Sequence, residues 1–194
     1  MAEAWHPGAG VQDHVDPKSV DAFGFTPESR QASQRDYWET RVLERILADE
    51  RADDDTYTTV VSLVFPPGGL SVRAVSAGHP GLLLRRSGEI RWVEPQAGIA
   101  LGLFPGCEDW TATDIPLSPH DGVVLFTDGL FEGRTAPSAR LGEEGLLRLA
   151  TQHSHLPGQE FIDALVHGAA SRSARFGGLA DDIAVLHLGW NAES

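Results

Sequence analysis

The sequence contains little cysteine and little positive charge. Cys107 is the only cysteine among 194 residues, which excludes an intrachain disulfide and a zinc site built from several cysteines. Lysine and arginine together number 15, against 28 aspartates and glutamates, so the formal net charge is −13. Surfaces that bind nucleic acids or anionic membranes need clustered basic side chains. We therefore expect neither a nucleic-acid partner nor a membrane partner.

Long apolar runs are also lacking. No stretch approaches the roughly 20 apolar residues of a membrane-spanning helix, and the N-terminus has no apolar region of the signal-peptide kind. A hydrophobic content of 41% and a charged content of 22% are typical of a globular chain. The sequence therefore predicts a cytoplasmic protein with one domain and a short extension.

The chain divides at about residue 37. Residues 1–36 are rich in Gly, Pro, Asp and Ser, and their apolar residues follow no period, which predicts a poorly ordered segment. Apolar residues at helical spacing then predict a helix over 37–50. We expect residues 37–190 to form the folded domain.

Strand patterns dominate the middle of the chain, and helical patterns follow them. Two hairpins are predicted, one that pairs 57–65 with 70–78 and one that pairs 81–86 with 89–94. A buried strand follows at 123–127, and then two helices at 142–153 and 158–174. A closing strand is predicted at 183–190. This order is typical of the α+β class rather than of an alternating α/β sheet. We expect sheet packed on sheet, with helices outside.

Acidic residues stand at the ends of two predicted strands. Asp128 directly follows the predicted strand 123–127, whose residues 123–126 are apolar, and Asp181 and Asp182 precede the closing strand. If the two strands are neighbours, these carboxylates meet at one water-accessible rim, where oxygen ligands suit Mg²⁺ or Mn²⁺. An Asp-Gly turn and an Asp-Asp loop are also common in proteins without metal. The spacing alone leaves both interpretations open.

Four motifs in order resemble the metal-dependent protein phosphatases of the PPM or PP2C type, in the bacterial branch typified by SpoIIE and RsbU. They are SAGHPGLLLRRSGEI, GIALGL, DGVVLFTDGLFEG and GLADDIAVLHL, and the resemblance covers about residues 38–190. It implies a β-sandwich of antiparallel sheets flanked by helices. It also implies hydrolysis of phosphoserine or phosphothreonine by metal-activated water, with Mn²⁺ or Mg²⁺ as cofactor and two ions in a complete domain. The implied substrate is a small phosphorylated regulator of the anti-sigma-factor-antagonist type.

The resemblance also implies roles for the acidic residues. Asp128 of the TDGL motif corresponds to a metal ligand, and Asp181 to a second one. Asp182 is a third candidate ligand. Because successive side chains on a strand point in opposite directions, Asp182 is better suited to orienting the site than to binding the same ion.

Three further residues belong to the implied site. The SpoIIE branch usually has Asn-Ala-Gly-His where this chain has Ser76-Ala77-Gly78-His79. His79 is a candidate for ordering this turn, and alternatively for metal ligation or proton transfer. Gly78 and Gly129 are expected to serve turn geometry.

One family motif has no counterpart in this sequence. The family's N-terminal Gly-Asp-Val-x-Gly-His-Gly motif supplies an aspartate that bridges both metals, and neither it nor the strands before it is found here. The resemblance therefore predicts an N-terminally incomplete domain. Three explanations stay open: a fragment or mis-started reading frame of an active phosphatase, a non-catalytic remnant that binds a protein partner, or replacement of the missing acid by Asp13 or Asp16.

Overall fold

The computed structural model describes Leu43 and four ranges of the chain: 57–66, 71–104, 110–179 and 181–190. The segment 1–36 and the domain boundary at residue 37 lie outside the described residues. Of the helix predicted over 37–50, only Leu43 is described, and it is helical.

Ten strands and three α-helices lie within the described ranges. The strands are β1 (Val60–Val64), β2 (Ser71–Ala77), β3 (Leu82–Arg86), β4 (Glu89–Val93), β5 (Ala97–Gly98), β6 (Thr113–Pro116), β7 (Gly122–Phe126), β8 (Arg134–Ala136), β9 (Ala139–Arg140) and β10 (Val185–Gly189). The helices are α1 (Gly129–Glu132), α2 (Gly142–Gln152) and α3 (Gly158–Ser173). None of these helices is long and apolar enough to cross a membrane.

The first sheet is centred on β2. β1 pairs with it antiparallel, with Val60 opposite Ala77, which confirms the predicted hairpin. On the other side, β6 pairs antiparallel with the start of β2, and β5 pairs parallel with its end, where Ser76 and Ala77 face Ala97 and Gly98. This two-residue parallel pairing departs from the expected purely antiparallel arrangement. β5 and β6 were not predicted because they are too short to show a period.

The second sheet has the order β10-β7-β3-β4 and is antiparallel throughout. Its β3–β4 hairpin turns at Ser87 and Gly88, which both have positive φ, and this confirms the second predicted hairpin. β7 and β10, which are distant in sequence, pair along five residues from Gly122–Gly189 to Phe126–Val185.

Two clusters of the core lie on the two faces of the second sheet, and a third contains Val75, Ala77, Leu101 and Trp110. Leu82 and Leu84 of β3 pack between the sheets, whereas Leu83 faces the helices, as alternation along a strand requires. The predicted apolar stripe of α3 packs there through Phe161 and Leu165. The α+β class and the sandwich with helices outside are therefore confirmed.

An ion pair between Asp121 and Arg86 connects the turn before β7 to the end of β3. Asp121 is only 2% exposed, and its Oδ2 accepts hydrogen bonds from Arg86 Nη2 at 2.6 Å and from the Ser118 amide at 2.7 Å. Burial raises the pKa of Asp121, but these hydrogen bonds and the charge of Arg86 lower it by more, so the pKa lies below its usual value. Asp121 therefore stays ionised at neutral pH.

Replacing Asp121 with asparagine should destabilise the fold by about 1–3 kcal/mol at pH 7, because Arg86 and the Ser118 amide lose a charged acceptor in a buried place. The folded-state pKa of Asp121 lies below the unfolded-state value of about 3.9. Ionised Asp121 therefore adds to the free energy of unfolding at pH values above about 3.9. This stabilisation is lost as the pH falls through the folded-state pKa. Urea denaturation should show the difference between wild type and D121N shrinking as the pH falls from neutrality to about 3.

Asp114→Asn is the matched control. Asp114 is exposed, and its ion pair with Arg73 at 2.9 Å lies at the surface, so its loss should cost less than about 1 kcal/mol. Equal losses in the two variants, or a D121N effect that does not change with pH, would contradict the role assigned to Asp121.

Candidate active site

Pairing of β7 with β10 brings the predicted acidic residues to one rim. Because the two strands are antiparallel, the end of β7 lies beside the start of β10. Thr127 extends this pairing: its amide donates to Ala184 O at 3.0 Å, and its Oγ1 donates to Asp182 O at 3.0 Å and accepts from the Ala184 amide at 2.9 Å. Asp128 is the next residue after Thr127. The condition stated for this site, that the two strands are neighbours, is met.

The three carboxylates at this rim are exposed to solvent. The Asp128 side chain makes no capping hydrogen bond to α1, whereas its carbonyl accepts from the amides of Phe131 and Glu132. Asp181 Oδ1 accepts from the Asp182 amide at 2.8 Å. No carboxylate at this rim is paired with a cation among the described residues, so these oxygens are available to a ligand.

The closing strand begins later than predicted. β10 starts at Val185 rather than at Ile183, because residues 181–184 leave the ladder and are held by Thr127 instead. Asp181 and Asp182 lie before β10, so strand alternation does not set the directions of their side chains. The hydrogen bond from the Asp182 amide to Asp181 orients the Asp181 carboxylate, and it comes from the backbone of Asp182.

Glycine is required at position 129 because the backbone of Asp181 and Asp182 lies very close to it, not because it forms a turn. It begins α1, and a Cβ placed on it would lie 2.6 Å from Asp182 O and 3.0 Å from Asp181 O. Any side chain here would push the two acidic segments apart. The expectation that Gly129 serves turn geometry is thus corrected: its role is to let the segments that carry Asp128 and Asp181 touch.

His79 joins the turn after β2 to the end of β7. Its Nδ1 accepts from the Gly81 amide at 3.3 Å, so Nε2 carries the proton and donates to Phe126 O at 3.0 Å. Burial lowers the pKa of His79, and the hydrogen bond to Phe126 and the nearby charge of Asp128 offset this only in part, so the neutral form is favoured. Both ring nitrogens are engaged with the backbone. This favours the turn-ordering role of His79 over ligation.

Gly78 has the left-handed conformation that favours glycine. Its φ is +72°, and a Cβ would lie 2.7 Å from the Cβ of Ala100. Its amide donates to Gly98 O at 2.8 Å. The turn that carries His79 is therefore held against the GIALGL segment.

The donor set fits one hydrated divalent ion better than a closed metal cage. Carboxylates on two adjoining segments, exposed to water, are the kind of site that Mg²⁺ and Mn²⁺ occupy while keeping several waters. The described ranges contain no cluster of three or more His, Cys, Asp or Glu side chains placed to hold a metal. The rim therefore offers part of a coordination shell.

Sequence reasoning missed the residues that align the two segments. Thr127 bridges them with its hydroxyl, and Phe126 supplies the carbonyl that receives His79. The threonine stands between an apolar strand and an aspartate. A threonine in that position indicates a hydroxyl that can bridge to a neighbouring segment. Only the pairing of β7 with β10 identifies that segment as residues 182–184.

Comparison with known proteins identifies relatives of this fold. Residues 30–191 match the family model described as Stage II sporulation protein E (SpoIIE). The structure is similar to the phosphatase domain of the cell fate determinant SpoIIE from Bacillus subtilis, with a TM-score of 0.56, 16% identity and coverage of 95% of this chain and 79% of that one.

Two Mycobacterium tuberculosis structures are also similar. The RsbU and RsbW domains of Rv1364c give a TM-score of 0.61 and 22% identity, covering 80% of this chain but only 42% of that one. The serine/threonine phosphatase PstP/Ppp gives a TM-score of 0.50 and 18% identity, covering 77% and 67%. At such identities the likeness shows the fold. A search of curated proteins gave no match.

Gly129→Ala should destabilise the protein by about 1–3 kcal/mol, because overpacking against the carbonyls of Asp181 and Asp182 outweighs the roughly 1 kcal/mol that alanine gains in a helix. Gly189→Ala is the matched control: it lies at the other end of β10, where the nearest described atom to a Cβ would be His187 Cε1 at 3.9 Å. Urea denaturation of both variants tests this. A G129A protein as stable as G189A would show that the two acidic segments are not in the close contact described.

Proposed function

Since the chain belongs to the SpoIIE family, we propose that it acts as a metal-dependent protein serine/threonine phosphatase. The single observation that supports this most is the meeting of Asp128 with Asp181 and Asp182 at one exposed rim. PP2C and SpoIIE phosphatases are metal-dependent, and carboxylates at a rim are the feature that such chemistry needs.

We assign Asp128 and Asp181 as the ligands of Mn²⁺ or Mg²⁺, and Asp182 as the residue that orients Asp181. A bound divalent ion supplies positive charge for the phosphoryl oxygens and acidifies water for attack on phosphorus. The protein holds both carboxylates in place through Thr127, whose hydroxyl contacts the 182–184 segment on two atoms. His79 holds the end of β7 through Phe126 O.

The proposed substrate is a phosphorylated protein rather than a small metabolite. The three aspartates lie on an exposed rim, which a phosphorylated side chain of another protein can reach. Following the family resemblance, we propose a small signalling regulator of the anti-sigma-factor-antagonist type, in the cytoplasm. The similarity to a structure that contains both an RsbU and an RsbW domain supports this choice.

A second candidate function is a non-catalytic phosphatase-fold module that binds a protein partner. One observation favours it: the described residues place two candidate ligands and one orienting acid at the rim, but no metal-binding cluster of three groups. Such a module would bind divalent ions weakly and would not turn over phosphoesters.

The test is hydrolysis of p-nitrophenyl phosphate and of a phosphoserine protein with Mn²⁺, compared between wild type and Asp128→Asn. Loss of a ligand should cost at least about 100-fold, since even the loss of a residue that supports a ligand costs 10–100-fold. Asp163→Asn is the control, because Asp163 is an exposed helix residue whose side chain accepts a hydrogen bond from Gln159, and this variant should keep wild-type activity.

Three outcomes separate the candidates. Mn²⁺-dependent turnover that is lost in D128N and kept in D163N supports the phosphatase. Equal rates in D128N and wild type would remove Asp128 from the mechanism. Absence of turnover together with weak Mn²⁺ binding that D128N abolishes, measured by electron paramagnetic resonance, would support the binding module.

A further inference from the structure

A cavity of about 270 Å³ lies at the end of the second sheet opposite the aspartate rim. The last residues of β3, the turn before β7 and the end of β10 contribute to its lining. It is separated from Asp128 by the length of β7, because Gly122 at the start of that strand lines the cavity and Asp128 follows its end. The cavity is therefore distinct from the proposed active site.

Basic groups outnumber acidic ones in this lining. Among the described residues, the cavity is lined by Arg85, Arg86, His120 and His187, together with one carboxylate, that of Asp121. Asp121 is committed to Arg86 and to the Ser118 amide. No carboxylate is left for Arg85 among the described residues.

Arg85 is held in place by neutral groups. Its Nη2 donates to the carbonyl oxygens of Ser154 at 3.1 Å and Leu156 at 2.7 Å, and its guanidinium carbon lies 4.2 Å from the centre of the Phe161 ring. These contacts fix the side chain but leave its full charge without a counter-ion. The guanidinium also has more N–H donors than these contacts use.

His187 lies beside this charge. Because a guanidinium can only donate, His187 Nε2 accepts from Arg85 Nη1 at 3.4 Å, and the ring proton of the neutral form is on Nδ1. Burial and then the charge of Arg85 lower the pKa of His187. The ring packs over Gly122, where a Cβ would lie 2.5 Å from Nε2, so its position is fixed by the backbone.

We propose that this cavity binds a small oxyanion of the phosphate or carboxylate class, with Arg85 supplying the charge and His187 and Arg85 supplying hydrogen-bond donors. Because both Nη2 hydrogens of Arg85 are used by the two carbonyl oxygens, its Nε–H and its second Nη1–H are the donors left for such oxygens, and its charge attracts them. The net charge of −13 repels anions at long range, so binding must come from these local groups and must weaken with salt. This inference does not depend on the proposed phosphatase activity.

The experiment is a titration of the metal-free full chain with inorganic phosphate, and separately with acetate, at ionic strength held constant with sodium chloride. The ring signals of His187, assigned with His187→Asn, are followed by ¹H–¹³C NMR. We expect a saturable shift of His187, while His79 at the opposite end stays still. Tighter binding of phosphate or of acetate identifies which oxyanion source the cavity prefers.

Arg85→Gln should weaken this binding at least about tenfold, as expected when a charged hydrogen-bond donor is lost. Arg148→Gln, which removes an exposed arginine paired with Glu144 on α2, is the matched control and should bind as wild type does. If R85Q does not fold, the increase in Tm caused by phosphate is compared between wild type and H187N, and it should be smaller in H187N.

Several results would overturn the proposal. These are a His187 shift that does not saturate with either anion, equal affinities in R85Q and R148Q, or the same phosphate-induced Tm increase in H187N and wild type. Phosphate that moves His79 but not His187 would show binding at the aspartate rim alone. That result would refute the cavity site and leave the proposed phosphatase function intact.

Discussion

The antiparallel pairing of β7 with β10 is the constraint on which the site depends. It joins segments whose acidic residues are 53 positions apart and aligns them so that the end of one strand meets the start of the other. The last residue pair of this ladder is Phe126 with Val185. Beyond it, the hydroxyl of Thr127 donates a hydrogen bond to Asp182 O and so keeps the two segments together. Asp128 and Asp181 thus owe their proximity to backbone geometry rather than to attraction between their side chains, which repel each other.

Long elements with a clear pattern were predictable from sequence. α3 carries apolar residues at helical spacing, which reveal both its type and its buried face, whereas β3 and β7 contain continuous apolar runs that indicate buried strands. The pairing of β7 with β10 was predicted as a condition for the site, and the structure meets it. These elements make up the core between and outside the sheets, which is why the fold class was predicted correctly.

Short elements were not predictable, because neighbours rather than local sequence stabilise them. β5 is two residues that pair with the end of β2, and α1 is a single turn set by the contact of Gly129 with the carbonyls of Asp181 and Asp182. β8 and β9 form a hairpin of three and two residues. The same holds for the site: the role of Thr127 depends on a partner segment that only the folded chain identifies.

The two Asp-Gly pairs that flank β7 show how far local sequence determines function. Asp121-Gly122 and Asp128-Gly129 are the same dipeptide at the two ends of one strand. Both glycines allow a close approach, of His187 in β10 at one end and of Asp182, before β10, at the other. Yet Asp121 is buried and bound to Arg86, whereas Asp128 is exposed and has no cation beside it among the described residues.

A carboxylate already neutralised by a guanidinium contributes to stability and has little affinity left for a metal ion. The difference lies in the neighbouring strand: β3 ends in Arg86 beside Asp121, and at the other end of the sheet the turn before β3 brings the neutral ring of His79 to the end of β7. The position of Arg86 thus gives Asp121 a stabilising role at one end of the sheet, whereas Asp128 at the other end keeps a carboxylate that is exposed to solvent.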